Sequence, residues 1–273
     1  MNLPVPIFDT HAHLDLEPFN ADRADVVRRL ESGTFPGGNI PEALTDQPVE
    51  VIGAVIPGIE PATWQNVLET VKLSDRFYAA VAVHPNHTAG ITEKDMQMLA
   101  ELVRQKEVSA VGETGLDRYR NDAPIDIQQT CFRQHIELSK ETGKPVLIHC
   151  RDAWDDLLPV LKSEKPLTGI LHAFSGGPAE AAACLESGLM ISFAGSVTYR
   201  NVNIEAVKSI PADRLLIETD APFMVPLPFR GKLKRNEPVL ASLAALRLAE
   251  IWNVPLRHIA EVTAQNALRL FRR

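Results

Sequence analysis

Two histidines two residues apart, His11 and His13, open a series of ligand-type side chains that continues with His84, Glu113, His149, His172 and Asp220. Each ends or closely follows a short run of apolar and β-branched residues. The i, i+2 spacing of His11 and His13 sends both imidazoles to one face of an extended segment. Taken singly, every member has an ordinary explanation. An HxH triplet is common, Glu113 in AVGETG serves as a polar strand end, and His149 or His172 serves as a hydrogen-bonded core histidine. Gathered behind hydrophobic strands they read as one shared site, because buried charge and imidazole without partners are costly. Imidazole with carboxylate suits zinc, manganese and related divalent ions. Glu113 has two oxygens with which to bridge two ions about 3.5–4 Å apart. A water held between such ions loses a proton near neutral pH and becomes a hydroxide nucleophile. Asp220 is suited to bind metal, orient that water and pass its proton to the leaving group. Glu113 and Asp220 are therefore the catalytic candidates.

The elements that must position these residues alternate. Strand-like runs cover Val5–Phe8, Val49–Val55, Phe77–Val83, Val108–Val111, Val146–Ile148, Gly169–Leu171, Leu189–Phe193 and Leu215–Ile217. Helical periodicity fills Ala62–Leu73, Glu93–Lys106, Pro124–Thr142, Ala153–Lys162, Ala179–Ser187, Pro238–Trp252 and Pro255–Leu270. Near-continuous apolar strands alternating with helices predict a parallel sheet covered on its outer face. Eight such strands, without a Gly-rich strand-to-helix fingerprint, point to a closed α/β barrel, a single-domain (β/α)8 TIM-type fold, rather than an open doubly wound sheet. Five of the eight histidines then sit at the C-terminal strand ends, the face where barrel enzymes assemble their sites. Segment 32–48 (SGTFPGGNIPEALTDQP) is rich in Gly and Pro and aperiodic. It reads as a loop insertion between the first helix and second strand, a surface excursion on the face away from the chemistry.

The formal charge of −7 argues against a protein coated with nucleic acid over its whole surface and leaves room for a local basic patch. Three cysteines without a CxxC pair speak against a disulfide scaffold. No basic-then-apolar leader opens the chain, and no apolar run approaches the roughly 18 residues of a membrane span. A cytoplasmic protein is expected.

The motifs FDTHAHL, AVHP, VGETGLD, HCRDA, HAFSGG, ISFAGSVTY, LLIETDAPF and KRNEP, with the closing VTAQNALRLF, resemble in order and spacing the TatD family of metal-dependent hydrolases, within the wider amidohydrolase group. The resemblance runs from residue 7 to about residue 270. It implies a barrel, two divalent ions (zinc, manganese or magnesium) with a third as an option, and hydrolysis of phosphodiester bonds in DNA by a 3'-5' deoxyribonuclease. Position by position, it implies that His11, His13, Glu113 and Asp220 hold one ion and that Glu113, His149 and His172 hold the second. Glu113 stands where many amidohydrolases carry a bridging carboxylated lysine. His84 matches a family histidine that contacts substrate or an additional ion, and Glu218 is expected to support Asp220. The chain departs from the family twice. His84-Pro85-Asn86 replaces the HPH of many relatives, and RGKLKRNEP is two residues longer than the family's RGKRNEP.

The remaining polar candidates are weaker. Arg151 follows His149 and could clamp a phosphate or form a helix-start salt bridge. Asp117 and Arg118 read as a local ion pair, Cys150 as a small buried side chain, and His135 and His258 as surface or packing residues. No GxSxG elbow supports a serine hydrolase. Arg230, Lys232, Lys234 and Arg235 form a basic stretch after the eighth strand, in a chain that is acidic elsewhere. Loops there often bind phosphate, so Lys232, Lys234, Arg235, His84 and Arg151 are the substrate candidates and DNA or another phosphodiester the expected partner. No membrane or obligate protein partner is evident. The competing readings are hydrolysis of an amide, lactone or aminoacyl ester by the same chemistry, and a non-catalytic metal-binding protein.

Overall fold

The computed structural model describes residues 3–38, 40–120 and 122–271. Eight parallel strands, β1 (Val5–Asp9), β2 (Val49–Gly58), β3 (Phe77–Val81), β4 (Val108–Asp117), β5 (Val146–Arg151), β6 (Gly169–Leu171), β7 (Met190–Phe193) and β8 (Leu215–Ile217), pair in sequence order. The two edges meet just beyond β1 and β8. The Thr10 amide donates to the Ile217 carbonyl at 3.1 Å, Asp220 to His11 at 2.8 Å, and His13 to Ala221 at 2.7 Å, with Ala12 bridging Ala221 in parallel. This closure sews the HAH segment to the Asp220 segment. It makes a (β/α)8 barrel.

Period two decides what faces the barrel axis. One residue from each strand, Phe8, Val55, Ala80, Ala110, Leu147, Ile170, Met190 and Leu216, joins a common interior cluster. Their sizes are uneven, and the Phe8 ring occupies the space a side chain on Gly53 would take. Ala264, Ala267 and Phe271 of the last helical segment plug this layer, with the Phe8 and Phe271 rings stacked 5.9 Å apart. Each such ring, fully buried, contributes about 1.5–3 kcal/mol. Two residues further along their strands, the same inward face delivers His149, His172 and Glu218 above Leu147, Ile170 and Leu216.

The outer layer is made by α1 (Arg23–Ser32), α2 (Pro61–Thr70), α3 (Glu93–Arg104), α4 (Ile125–Thr142), α5 (Trp154–Glu164), α6 (Pro178–Glu186), α7 (Ile204–Ser209), α8 (Ala241–Trp252) and α9 (Leu256–Leu270). Their apolar stripes cover the outward strand residues, such as Val5, Ile7, Val146 and Ile148, in a second cluster. Local signals set several starts: Thr92 caps α3 with Asp95 returning the bond, and Pro occupies the first turns of α2 and α6. The six-residue α7 was not visible as periodicity, being less than two turns long. No single helix among the described residues is long and apolar enough to cross a membrane.

Segment 32–48 departs from the expected placement. Most of the segment is exposed, as a surface excursion should be, but Phe35, Pro36 and Leu44 are buried and anchor it to the core. Pro41, Glu42 and Ala43 border a groove of about 420 Å³ with α8 and with Thr198, Leu227 and Pro228 of the loops after β7 and β8. A chain of this length, extending about 3.3 Å per residue, can climb the barrel wall. Its middle therefore reaches the loops of the active face, a correction to a reading that followed only where its ends attach.

Candidate metal centre

The seven ligand-type residues converge at the mouth. Glu113 lies at the middle, 3% exposed, with its two oxygens turned to different neighbours. Oε2 is 3.3 Å from both His11 Nε2 and His13 Nε2, nitrogens that are themselves 3.1 Å apart. Asp220 Oδ1 completes that group at 3.8 and 3.7 Å from the same two nitrogens. Oε1 is 2.8 Å from His149 Nδ1 and 2.8 Å from His172 Nε2, which are 3.2 Å apart. The His11 and His172 rings stack at 4.0 Å between the two groups.

This donor set fits divalent cations. In each group two imidazole nitrogens and a carboxylate oxygen face one point, a mixed nitrogen and oxygen donor set of the kind divalent cations accept. The titration pattern reports the same crowding. Burial, reinforced by the His172 ring, pushes His11 down to about 4. Its neighbour His13 goes the other way, up to about 9, because Glu113 and Asp220 outweigh the cost of burial. Glu113 is held well below the usual carboxylate range: burial opposes this, but the surrounding His172, His84 and His11 rings prevail. Burial lifts Asp220 to about 6 against the pull of His172 and His13.

Asp220 sits in left-handed backbone, φ 55°, a conformation Asp tolerates better than most residues. The neighbouring backbone holds it there. Asn236, fully buried, donates to Thr219 O at 2.8 Å and Met224 O at 3.2 Å. The Thr219 hydroxyl and amide both bond the Asp9 carboxyl, which also accepts the His11 amide. Burial raises Asp9 to about 8.

His84 joins the group, its Nε2 3.5 Å from Glu113 Oε1. Its Nδ1 accepts the Asn86 amide at 3.2 Å, so in the neutral ring Nε2 carries the proton and acts as donor. His84 also forms, with Glu113 and His149, a group whose ligand atoms lie close enough together to hold an ion. Arg151 is exposed on the rim, stacked over Tyr119 at 4.4 Å. Lys232 and Lys234 are exposed, without an ion pair among the described residues. Arg235 is a correction. Its guanidinium reaches Asp22 at 2.6 Å, Glu237 at 3.2 Å and the Pro18 carbonyl, and lies over the Phe19 ring. Donors so committed fasten the loop to the segment that leads into α1 rather than face a substrate.

Two further expectations change. Glu218 does not touch Asp220; it faces His172. Asp117 pairs with His149 Nε2 at 3.2 Å, and Arg118 with Asp156 at 2.5 Å, so these neighbours are not an ion pair with each other. Asp117 was missed as part of the centre, although it lies four residues beyond Glu113, a spacing that returns to the same strand face. Phe223 was also missed: its half-exposed ring lies 6.3 Å from that of His13. His135 is buried, accepting the Val83 amide at 3.0 Å, and His258 is exposed.

A closed (β/α)8 barrel whose mouth gathers histidines around one two-sided carboxylate defines the class. The chain belongs to the TatD-related DNase family, whose sequence profile matches residues 8–272. It is 39% identical over 270 residues to the uncharacterized metal-dependent hydrolase YabD of Bacillus subtilis, covering 97% of this chain and 99% of that one. It is 33% identical over 275 residues to the 3'-5' ssDNA/RNA exonuclease TatD of Erwinia billingiae, covering 97% and 99%. The crystal structure of YJJV, a TatD homolog from Escherichia coli, superposes with a TM-score of 0.85 at 28% identity, covering 98% of each chain.

Proposed function

We propose that the protein is a divalent-metal-dependent phosphodiesterase, a 3'-5' deoxyribonuclease, of a reducing, cytoplasmic compartment. The observation that carries this reading is the two-sided environment of Glu113, with His11 and His13 on Oε2 and His149 and His172 on Oε1. His11, His13, Glu113 and Asp220 would hold one ion and Glu113, His149 and His172 a second, with zinc, manganese and magnesium the candidates. Bound there, divalent ions supply Lewis-acid activation of water near neutral pH and offset phosphate charge. Asp220 takes a proton from the attacking water and returns it to the leaving oxygen. His84 donates from Nε2 toward a phosphate oxygen. Lys232, Lys234 and Arg151, exposed at the rim, attract the backbone without reading bases. The phosphodiester substrate is supported by the family and by the exonuclease relative. All three cysteines are free thiols, which supports the compartment.

The test is a hydrolysis panel of single-stranded DNA, a phosphomonoester, an amide, a lactone and an aminoacyl ester, run with zinc, manganese and magnesium in turn. DNA cleavage that stops on chelation and returns with one ion is expected. Faster hydrolysis of a lactone, amide or aminoacyl ester would replace the nuclease reading by that of a general hydrolase.

A further inference from the structure

The turn that follows Asp220 presents an apolar ring at the mouth. Phe223 is 51% exposed, and its ring lies 6.3 Å from that of His13 at an interplanar angle of 71°. A single exposed apolar side chain is ordinary on a protein surface. This one stands on backbone that is fastened on both sides. The Phe223 amide donates to the Asp220 carbonyl at 2.8 Å. Asn236, fully buried, holds the flanking residues, its amide donating to Pro222 O at 2.9 Å and its Nδ2 to Met224 O at 3.2 Å. Met224 is in left-handed backbone, φ 49°, a conformation that persists in such a residue only where its surroundings fix it. The loop after β7 packs so closely on this turn that a Cβ on Gly195 would collide with Met224 O. An anchored turn therefore holds the ring out beside the centre.

Other aromatic rings of the mouth loops are already engaged. Arg151 lies over Tyr119 at 4.4 Å and Arg230 over Tyr199 at 4.2 Å. Phe174 is buried between Trp154 and Phe193, 5.5 and 5.9 Å away. No cation lies over Phe223 among the described residues. An uncharged ring offers little to a phosphate, but its flat apolar face matches the face of a nucleobase. We propose that Phe223 is a specificity-determining residue that stacks on the base of a nucleotide adjoining the phosphate held at the centre. It adds a base contact to a site whose other substrate groups, His84, Lys232, Lys234 and Arg151, act on phosphate. Every base has a π-face, so the contact favours a base over no base without choosing among the four. The inference rests on the phosphodiesterase reading above.

Single-stranded oligonucleotides with an abasic sugar at the terminal or the penultimate position test it, through the kinetics of the first cleavage by metal-loaded protein. For the wild type, KM should be about tenfold higher on one of the two abasic substrates than on the parent oligonucleotide, the size of one lost base stack. Equal KM values on all three substrates overturn the proposal without recourse to any variant. Phe223→Ala should raise KM on the parent by about the same factor, leave kcat unchanged, and lose nothing further on that abasic substrate. Phe223→Trp should restore the parent KM. A ring that merely packs against His13 would instead lower kcat, and equally on base-bearing and abasic DNA. That result, or a parent KM unchanged in Phe223→Ala, overturns the proposal. Should the wild type cleave no oligonucleotide with any of the candidate ions, the phosphodiesterase reading fails and this inference falls with it. Cleavage that ignores the missing base sinks the inference alone.

Discussion

The floor of the mouth and its rim, a loop away from each other, are built on opposite plans. On the floor, His11, His13, Glu113, His172 and Asp220 are each no more than 8% exposed, and every one leaves a strand end or a hydrogen-bonded turn that fixes its direction. On the rim, Lys232 and Lys234 stand in water on the loop after β8, while Arg235, one residue further, is fastened to Asp22 and Glu237. The floor places charge where solvent cannot screen it, which makes each group strong and each substitution severe. The rim acts through screened, long-range attraction, where single charges matter little. Catalysis and substrate capture should therefore respond to mutation on very different scales.

The largest effect is expected at Glu113, the one side chain shared by both halves of the floor. Glu113→Gln keeps the shape and removes the charge that faces His11, His13, His149 and His172. Hydrolysis should fall to background and both ions should be lost, as measured by elemental analysis after gel filtration. Full metal content in this variant would show that the two groups do not share a bridge.

Asp220 should come next. Asp220→Asn retains an oxygen toward His11 and His13 but cannot take a proton. Turnover should drop by about 10²–10⁴-fold, well beyond any loss of bound metal measured in the same sample. Near-normal turnover at saturating substrate would remove Asp220 from proton transfer.

The floor also predicts a pH dependence for metal uptake. With no metal bound, His13 stays protonated up to about 9, through its contacts with Glu113 and Asp220. Ligation requires the neutral ring, so binding must expel that proton. Below about pH 9 the first-ion affinity should rise by about tenfold per pH unit for this proton, and the gain should level off above it. Calorimetry in two buffers of different ionisation heat measures the protons released. An affinity that falls as pH rises through this window would contradict the assignment.

Most of the floor was legible in the sequence because strand geometry carries it. An apolar run ending in His or Glu states both the depth and the face of that residue, as Leu147 then His149 and Ile170 then His172 illustrate. What stayed hidden was set by contacts between elements. Glu218 faces His172 across β6 and β8 rather than Asp220 beside it in sequence, and Asp117 faces His149 rather than Arg118. The rim was legible only as composition. Four cations within six residues revealed a basic loop, but not which guanidinium the fold had already engaged. Loops have no period, so burial cannot be read from their spacing. The anchoring of segment 32–48 stayed hidden for the same reason: it hangs on Phe35 and Leu44, too far apart and too irregular to mark a face.

The smallest effect, and the finest division of the rim, concerns its neighbouring cations. If Lys232 and Lys234 hold backbone phosphates, replacing both with Ala should weaken DNA binding and reduce the slope of log affinity against log salt by about 1 per lysine. Cleavage of a small uncharged ester, if measurable, should be spared, and so should thermal stability, because neither ammonium makes an ion pair among the described residues. Arg235→Ala should do the reverse. It breaks the bonds to Asp22 and Glu237 and the stack on Phe19, a loss of about 1–3 kcal/mol for charge-assisted contacts of this kind. Arg29 keeps Glu237 paired through two bonds of 2.8 Å, which limits the damage. The salt slope should remain that of the parent, while the unfolding midpoint falls. Salt titrations followed by fluorescence anisotropy, set beside thermal unfolding of the same variants, separate the two roles. A reduced slope in Arg235→Ala with an unchanged slope in the lysine pair would exchange them, making the fastened arginine the phosphate contact and the free lysines bystanders.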